Sequence, residues 1–167
     1  MRFLTAGPED AEAMAAMALD IWRRCHRPDV LTDEEIEYFW HVGYRPETLR
    51  EEMQRGAVYE WIAAEGGKIG FLAYCLEADR NRLHLGKLYL RPEYHGRGIG
   101  VEALERLKTV AAGLGVEEIY LYVFRKNVPA VHAYLRAGFV VERAEVIECG
   151  NGCCFDDLVM RWRAEPG

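Results

Sequence analysis

The stretch LYLRPEYHGRGIG, Leu88 to Gly100, limits the fold of this 167-residue chain more than any other. An apolar strand-like run meets Arg91-Pro92, and glycines then fall at every second position, Gly96, Gly98 and Gly100. Val101, Leu104, Leu107, Ala111 and Leu114 follow at helical spacing. Glycine this dense costs backbone entropy, so the turn must serve something that offsets it. A strand, a glycine turn and a helix start form an anion site, because successive N–H groups converge and the helix macrodipole favours negative charge. The expected ligand contains phosphate. A Walker A loop is absent, since no Gly-x-x-x-x-Gly-Lys-Ser/Thr occurs. A dinucleotide fingerprint also fails, because Val101 stands where its third glycine belongs and the turn comes late, after an antiparallel-looking hairpin.

The rest of the chain reads as alternating periods. Arg2 to Ala6 is a short apolar start, and GPEDAEAM sets Pro8 and acidic residues at a helix N-terminus, with Pro28 ending that region. LTDEEIEYF predicts a second helix behind a Thr32/Glu35 capping box, and RPETLREEMQRG a third between Pro46 and Gly56. Two apolar runs flank Gly66-Gly67 as a hairpin, and RLHLGKLYL continues as a third strand. Gly115 closes the helix after the glycine turn, EEIYLYVF is apolar on both faces, and NVPAVHAYLRAGF reads as a short helix N-capped by Asn127. FVVERAEVIEC and CCFDDLVMRW are two final strands around GNG. The order is strand, helices, three strands, helix, strand, helix, two strands: an α/β fold with a mixed sheet, read as a single domain over residues 1–167.

Composition narrows the function classes. The chain is half hydrophobic, enough to build a core without disulfides. A net charge of -6 argues against nucleic acid as partner and is compatible with a cationic substrate. The odd set Cys25, Cys75, Cys149, Cys153 and Cys154 has no CxxC pair and suits a reduced compartment. Adjacent thiols on a strand point to opposite faces, so Cys153-Cys154 makes a poor metal site, and no metal is expected. The N-terminus lacks the apolar region of a signal peptide, and no apolar run approaches membrane-spanning length. The expectation is a cytoplasmic protein with no membrane partner.

With these residues in view, LYLRPEYHGRGIG resembles the acetyl-CoA loop of the GNAT superfamily of N-acetyltransferases, whose pattern is Gln/Arg-x-x-Gly-x-Gly/Ala. It falls on His95-Gly96-Arg97-Gly98-Ile99-Gly100, with His95 where Gln or Arg is usual. NVPAVHAYLRAGF is similar to the family segment Asn-x-x-Ala-x-x-x-Tyr-x-x-x-Gly-Phe, at Asn127, Ala130, Tyr134, Gly138 and Phe139. GYRPETLREEMQRG and GNGCCFDDLVM look like a bacterial subgroup that includes polyamine acetyltransferases. The resemblance implies the GNAT fold, a mixed central sheet with helices on both faces, and acetyl-CoA as co-substrate. It implies that the edge of Leu88, Tyr89 and Leu90 pairs with the pantetheine arm and that His95, Gly96, Arg97, Gly98, Ile99, Gly100 and Val101 take the pyrophosphate. Asn127, Ala130 and Tyr134 complete the implied cofactor contacts, and a homodimer through the last strands is a further implication.

The implied reaction is direct attack of an amine on the acetyl thioester. An alkyl ammonium of pKa near 10.4 is neutral only about once in two to three thousand molecules at pH 7, roughly 4.6 kcal/mol of cost. A base, a water relay or desolvation must supply this. Glu77, His84 and the Asp156/Asp157 pair are candidates, with His84 chosen because an ordinary histidine pKa suits a base. The resemblance makes Tyr134 the general acid for the departing thiolate, although a tyrosine near 10 protonating a thiolate whose thiol has pKa near 8.5 is uphill by roughly 2 kcal/mol. Tyr134 therefore either has a lowered pKa or chiefly hydrogen-bonds the developing thiolate. Tyr89, Tyr94, Tyr120 and Tyr122 read as packing residues. The expected activity is acetylation of a small-molecule primary amine, polyamine-like or amino-acid-like. The alternatives are a protein or peptide N-acetyltransferase and a non-catalytic acyl-CoA sensor.

Overall fold

The computed structural model describes residues 1–25, 31–64, 66–150 and 153–165. The expected breaks at Pro28 and at the Asn151-Gly152 turn lie outside these residues. The chain folds as two compact units, Met1–Tyr74 with Lys87–Arg97 and Cys75–Gly86 with Gly98–Gly167.

In the first unit, β1 (Arg2–Thr5) pairs antiparallel with β2 (Val58–Ala64), which pairs antiparallel with β3 (Gly67–Glu77) as far as Tyr74. The hairpin between β2 and β3 turns at Gly66 and Gly67, whose φ values of 102° and 120° favour glycine. Three helices precede β2. The first, α1 (Ala11–Cys25), follows a 3-10 turn at Pro8–Asp10 and buries Ala11, Met14, Ala15, Ala18 and Ile21, the 3–4 spacing of one helix face. Next comes α2 (Asp33–Gly43), opening on the expected capping box: Glu35 N–H donates to Thr32 Oγ1 at 3.1 Å and Thr32 N–H to Glu35 Oε2 at 2.7 Å. The third, α3 (Pro46–Gln54), has proline in its first turn and Gly56 at φ 100° beyond its end. These elements enclose Met14, Leu49, Tyr59, Trp61 and Phe71 in one core.

In the second unit, the first half of β4 (Arg82–Leu90) runs parallel to β5 (Glu118–Phe124). An antiparallel ladder joins β5 to β7 (Cys153–Arg163), and another joins β7 to β6 (Val140–Gly150), giving the mixed sheet expected of an α/β fold. Two helices belong here, α4 (Ile99–Gly113) and α5 (Val128–Arg136). The buried stripe of α4 is Ala103, Leu104, Leu107 and Ala111, while Leu114 is the C-cap and half-exposed rather than part of that stripe. Gly115, at φ 69°, ends the helix as expected. Among the described residues no helix is long and apolar enough to cross a membrane, and no cluster of His, Cys, Asp or Glu is placed to hold a metal.

Candidate active site

The glycine turn takes the shape its composition predicts. A 3-10 turn at Pro92–Tyr94 ends β4, Gly96 and Gly98 adopt φ of 71° and 80°, and α4 begins at Ile99. Gly98 is the N-cap and offers no side-chain cap. The first closing bond runs from Glu102 N–H to Gly98 O at 3.0 Å, so the amides of Ile99, Gly100 and Val101 precede the helical ladder. A Cβ built at Gly96 or Gly98 would meet nothing within 4 Å, so the space over the turn is open and the glycines serve backbone conformation. Gly100 is an ordinary helical residue, so two glycines rather than three make the turn. These residues fit a pyrophosphate: amides ahead of the hydrogen-bond ladder at a helix N-terminus, next to open space at Gly96 and Gly98.

His95, the departure from the family pattern, has a visible task. Its Nε2 lies 2.8 Å from the carbonyl of Leu90 and ties the turn back to the strand it follows. Arg97 is exposed, with its guanidinium 5.4 Å from the Tyr94 ring. The sequence reading missed Gly70, where a Cβ would lie 2.2 Å from Tyr89 O. This glycine lets β3 approach Tyr89 and Leu90 closely, and Arg91 N–H donates to Ile69 O at 2.9 Å beside it. The β4–β5 register covers Arg82–Leu85 against Glu118–Leu121, and β4 runs on through Leu88, Tyr89 and Leu90. β5 continues its pairing with β7 as far as Phe124–Asp157.

Tyr89 differs from a simple packing residue. Its hydroxyl lies 2.6 Å from that of Tyr44, and the two rings meet edge to face with Trp22 against them. Burial and the neighbouring Tyr89 push the Tyr44 phenol well above its usual range. Below this pair Lys87 is 8% exposed and is held by both oxygens of Glu52, at 2.6 and 2.9 Å, with Tyr59 donating to the same carboxylate. Nothing in the strand pattern RLHLGKLYL sets Lys87 apart.

Asn127 caps α5 as expected, its Oδ1 accepting from Ala130 N–H at 3.4 Å, with Pro129 in the first turn. Tyr134, on the buried side of α5, sits against Phe139 with ring centroids 5.9 Å apart. Gly138 follows with φ 79°.

His84 belongs to an aromatic face of the second unit. Its ring stacks on Tyr120 at 4.7 Å and meets Tyr122 edge-on at 6.0 Å. Tyr120 is buried and donates to Glu77, whereas Tyr122 is 37% exposed and is not the packing residue expected. Burial raises the Glu77 carboxyl, but the Tyr120 and Arg82 hydrogen bonds outweigh it and hold the group below the ordinary carboxylate range. Glu77 is thus an occupied acceptor and a weak base. Alternation and register place Phe124 and Asp157 on the same face as Tyr120 and Tyr122, with Asp157 opposite Phe124 on β5 and Glu145 on β6. Asp156 points to the other face and has Arg125 Nη2 at 2.7 Å.

The sequence pattern of the "Acetyltransferase (GNAT) family" matches residues 15–139, and the chain belongs to that family. The spermidine N(1)-acetyltransferase of Thermoplasma acidophilum is 30% identical over 80% of this chain and 84% of its own. An uncharacterized N-acetyltransferase of Mycobacterium tuberculosis is 31% identical over 84% and 90%. Among solved structures, the PaiA N-acetyltransferase of T. acidophilum in complex with coenzyme A superposes with TM-score 0.79 at 26% identity, over 98% of this chain and all of that one. The chain is an acetyl-CoA-dependent N-acetyltransferase of GNAT fold.

Proposed function

We propose that the chain, acting over residues 1–167 as one domain, transfers acetyl to a primary amine of a small molecule by direct attack. The open amides of Ile99, Gly100 and Val101 above the positive-φ turn at Gly96 and Gly98 support this reading most directly. His95 and Arg97 flank that turn, and the backbone of Leu88, Tyr89 and Leu90 beyond the β5 register is suited to pair with the pantetheine amides. Bound acetyl-CoA supplies an acetyl thioester. Asn127 and Ala130 hold the start of α5, which carries the Tyr134 hydroxyl assigned to the leaving thiolate. The face on which His84 stacks on Tyr120 and meets Tyr122 edge-on is read as the acceptor side. The polyamine-like choice of acceptor draws on the spermidine acetyltransferase relative.

The test is acetyl-CoA consumption with polyamines, amino acids and short peptides, run with the wild type and Tyr134→Phe. Turnover with one class of small amine, falling about 10²-fold in Tyr134→Phe with little change in coenzyme A affinity, is the expected result. Acetyl-CoA binding without acetylation of any amine would favour a sensor, and preferred turnover of peptides a protein-directed enzyme.

A further inference from the structure

Among the described residues, no counter-charge stands against the buried carboxylate of Asp157. It is 9% exposed, yet among the described residues no N–H or O–H donates to its side chain. The nearest charges make its position worse. Glu145 stands directly opposite on β6 and Asp156 adjoins it along β7, an arrangement of like charges that a strand pair ordinarily avoids. Cations nearby are already engaged: Arg125 with Asp156, Arg143 with Glu145, and Arg161 with Glu142. Phe124 faces it from β5 and contributes no charge. Burial first, then Asp156 and Glu145, push the Asp157 carboxyl up to about 6.

We propose that Asp157 is the catalytic residue that receives the acceptor ammonium at the acidic end of the His84–Tyr120–Tyr122–Phe124 face and takes its first proton. This assignment rests on the acceptor being an amine. The exposed Tyr122 ring and the half-buried Phe124 offer a cation the π-surface it favours, and the unopposed carboxylate offers the charge it lacks. One N–H proton passes to the Asp157 carboxylate, and the freed nitrogen lone pair bonds to the acetyl carbonyl carbon. The C–S bond then breaks, and the second amine proton leaves with the thiolate as the free thiol. Asp157 returns its proton to solvent. A carboxyl near 6 is about two units closer to an alkyl ammonium than an ordinary aspartate, about a hundredfold in the transfer equilibrium. Glu77, occupied by Tyr120 and Arg82, does not compete for this task.

The experiment combines pH profiles of kcat/KM for the acetylated amine with 13C NMR titration of aspartate carboxyls in the ligand-free protein. Wild type, Asp157→Asn, Glu145→Gln and His84→Gln are compared, with acetyl-CoA affinity by calorimetry as the control for folding. Asp157→Asn is expected to lower kcat/KM about 10²-fold or more and to remove the acidic limb of the profile, with acetyl-CoA affinity kept. Glu145→Gln is expected to lower the Asp157 midpoint and move the acidic limb with it, which a purely structural aspartate would not do. The assignment is overturned if Asp157→Asn loses less than threefold, if the limb disappears with His84→Gln instead, or if Asp157 titrates below pH 5. If the wild type acetylates no amine, the proposed function fails first, and this assignment fails with it.

Discussion

Lys87 and Asp157 are buried to nearly the same degree, 8% and 9% exposed, and the two halves of the chain treat them in opposite ways. Around Lys87 the first unit builds a complete set of partners. Glu52 takes the ammonium with both oxygens, Tyr59 donates to that carboxylate, and the Tyr44 ring lies 5.1 Å from Nζ. Around Asp157 the second unit builds a set of like charges and an apolar ring. A buried charge is tolerable when paired and costly when not. The first arrangement therefore holds structure together, and the second spends stability, which is the pattern of a site that waits for a cation.

The largest effect is expected where the complete set is broken. Glu52→Met strands the Lys87 ammonium and should cost about 3–5 kcal/mol in urea unfolding. Adding Lys87→Met should restore most of that, because removing both charges leaves neither unpaired. A single variant costing under about 1 kcal/mol would erase the contrast with Asp157.

The opposite sign is expected in the second unit. The folded-state value of Asp157, about 6, lies above the value near 3.9 of an unfolded aspartate, so ionisation opposes folding. That cost is present above pH 6 and disappears as the pH falls through 6 toward 4. Asp157→Asn should thus be more stable than wild type by up to about 3 kcal/mol at pH 8, with the advantage shrinking toward zero near pH 4. Urea titrations of both proteins across that range measure it. A gap that is constant with pH would mean that the carboxyl is not perturbed.

The contrast between these two residues was not legible in the sequence, although the elements that carry them were. The order of strands and helices follows from periods of two and 3.6, and the structure keeps it from β1 to β7. Thr32 and Asn127 cap their helices because the chemistry of a cap is local to three or four residues. The Gly96–Gly98 turn was legible for the same reason. Side-chain partners from distant elements were not. Nothing in RLHLGKLYL says that Lys87 meets Glu52 on α3, 35 positions away, or that Gly70 makes room for Tyr89. Asp156 and Asp157 are adjacent and alike in sequence, and only register separates them. The irregularity between Val141 and Arg143 sets which β6 residue stands opposite each, and a one-residue slip would exchange their faces. The base chosen from sequence, His84, shares the Tyr120–Tyr122 face with Asp157, and register, which the sequence does not show, is what puts Asp157 on that face.

The smallest effect tests whether Asp156 contributes to the charge that burdens its neighbour. Arg125 Nη2 lies 2.7 Å from Asp156 Oδ1 at a half-exposed position, so the pair itself is worth no more than about 1 kcal/mol. Its removal in Arg125→Gln leaves the Asp156 charge less compensated. Two unit charges about 8 Å apart in water interact by about 0.5 kcal/mol, which corresponds to roughly 0.4 pH units. The Asp157 midpoint should therefore rise by about that much in the carboxyl NMR titration. Molar salt, with a Debye length of about 3 Å, should remove most of the shift. The shift expected in Glu145→Gln should survive the same salt better, because Glu145 faces Asp157 directly across the ladder. Equal salt sensitivity in the two variants would mean that Asp157 feels both neighbours through solvent, and that its burial is shallower than the contrast with Lys87 requires.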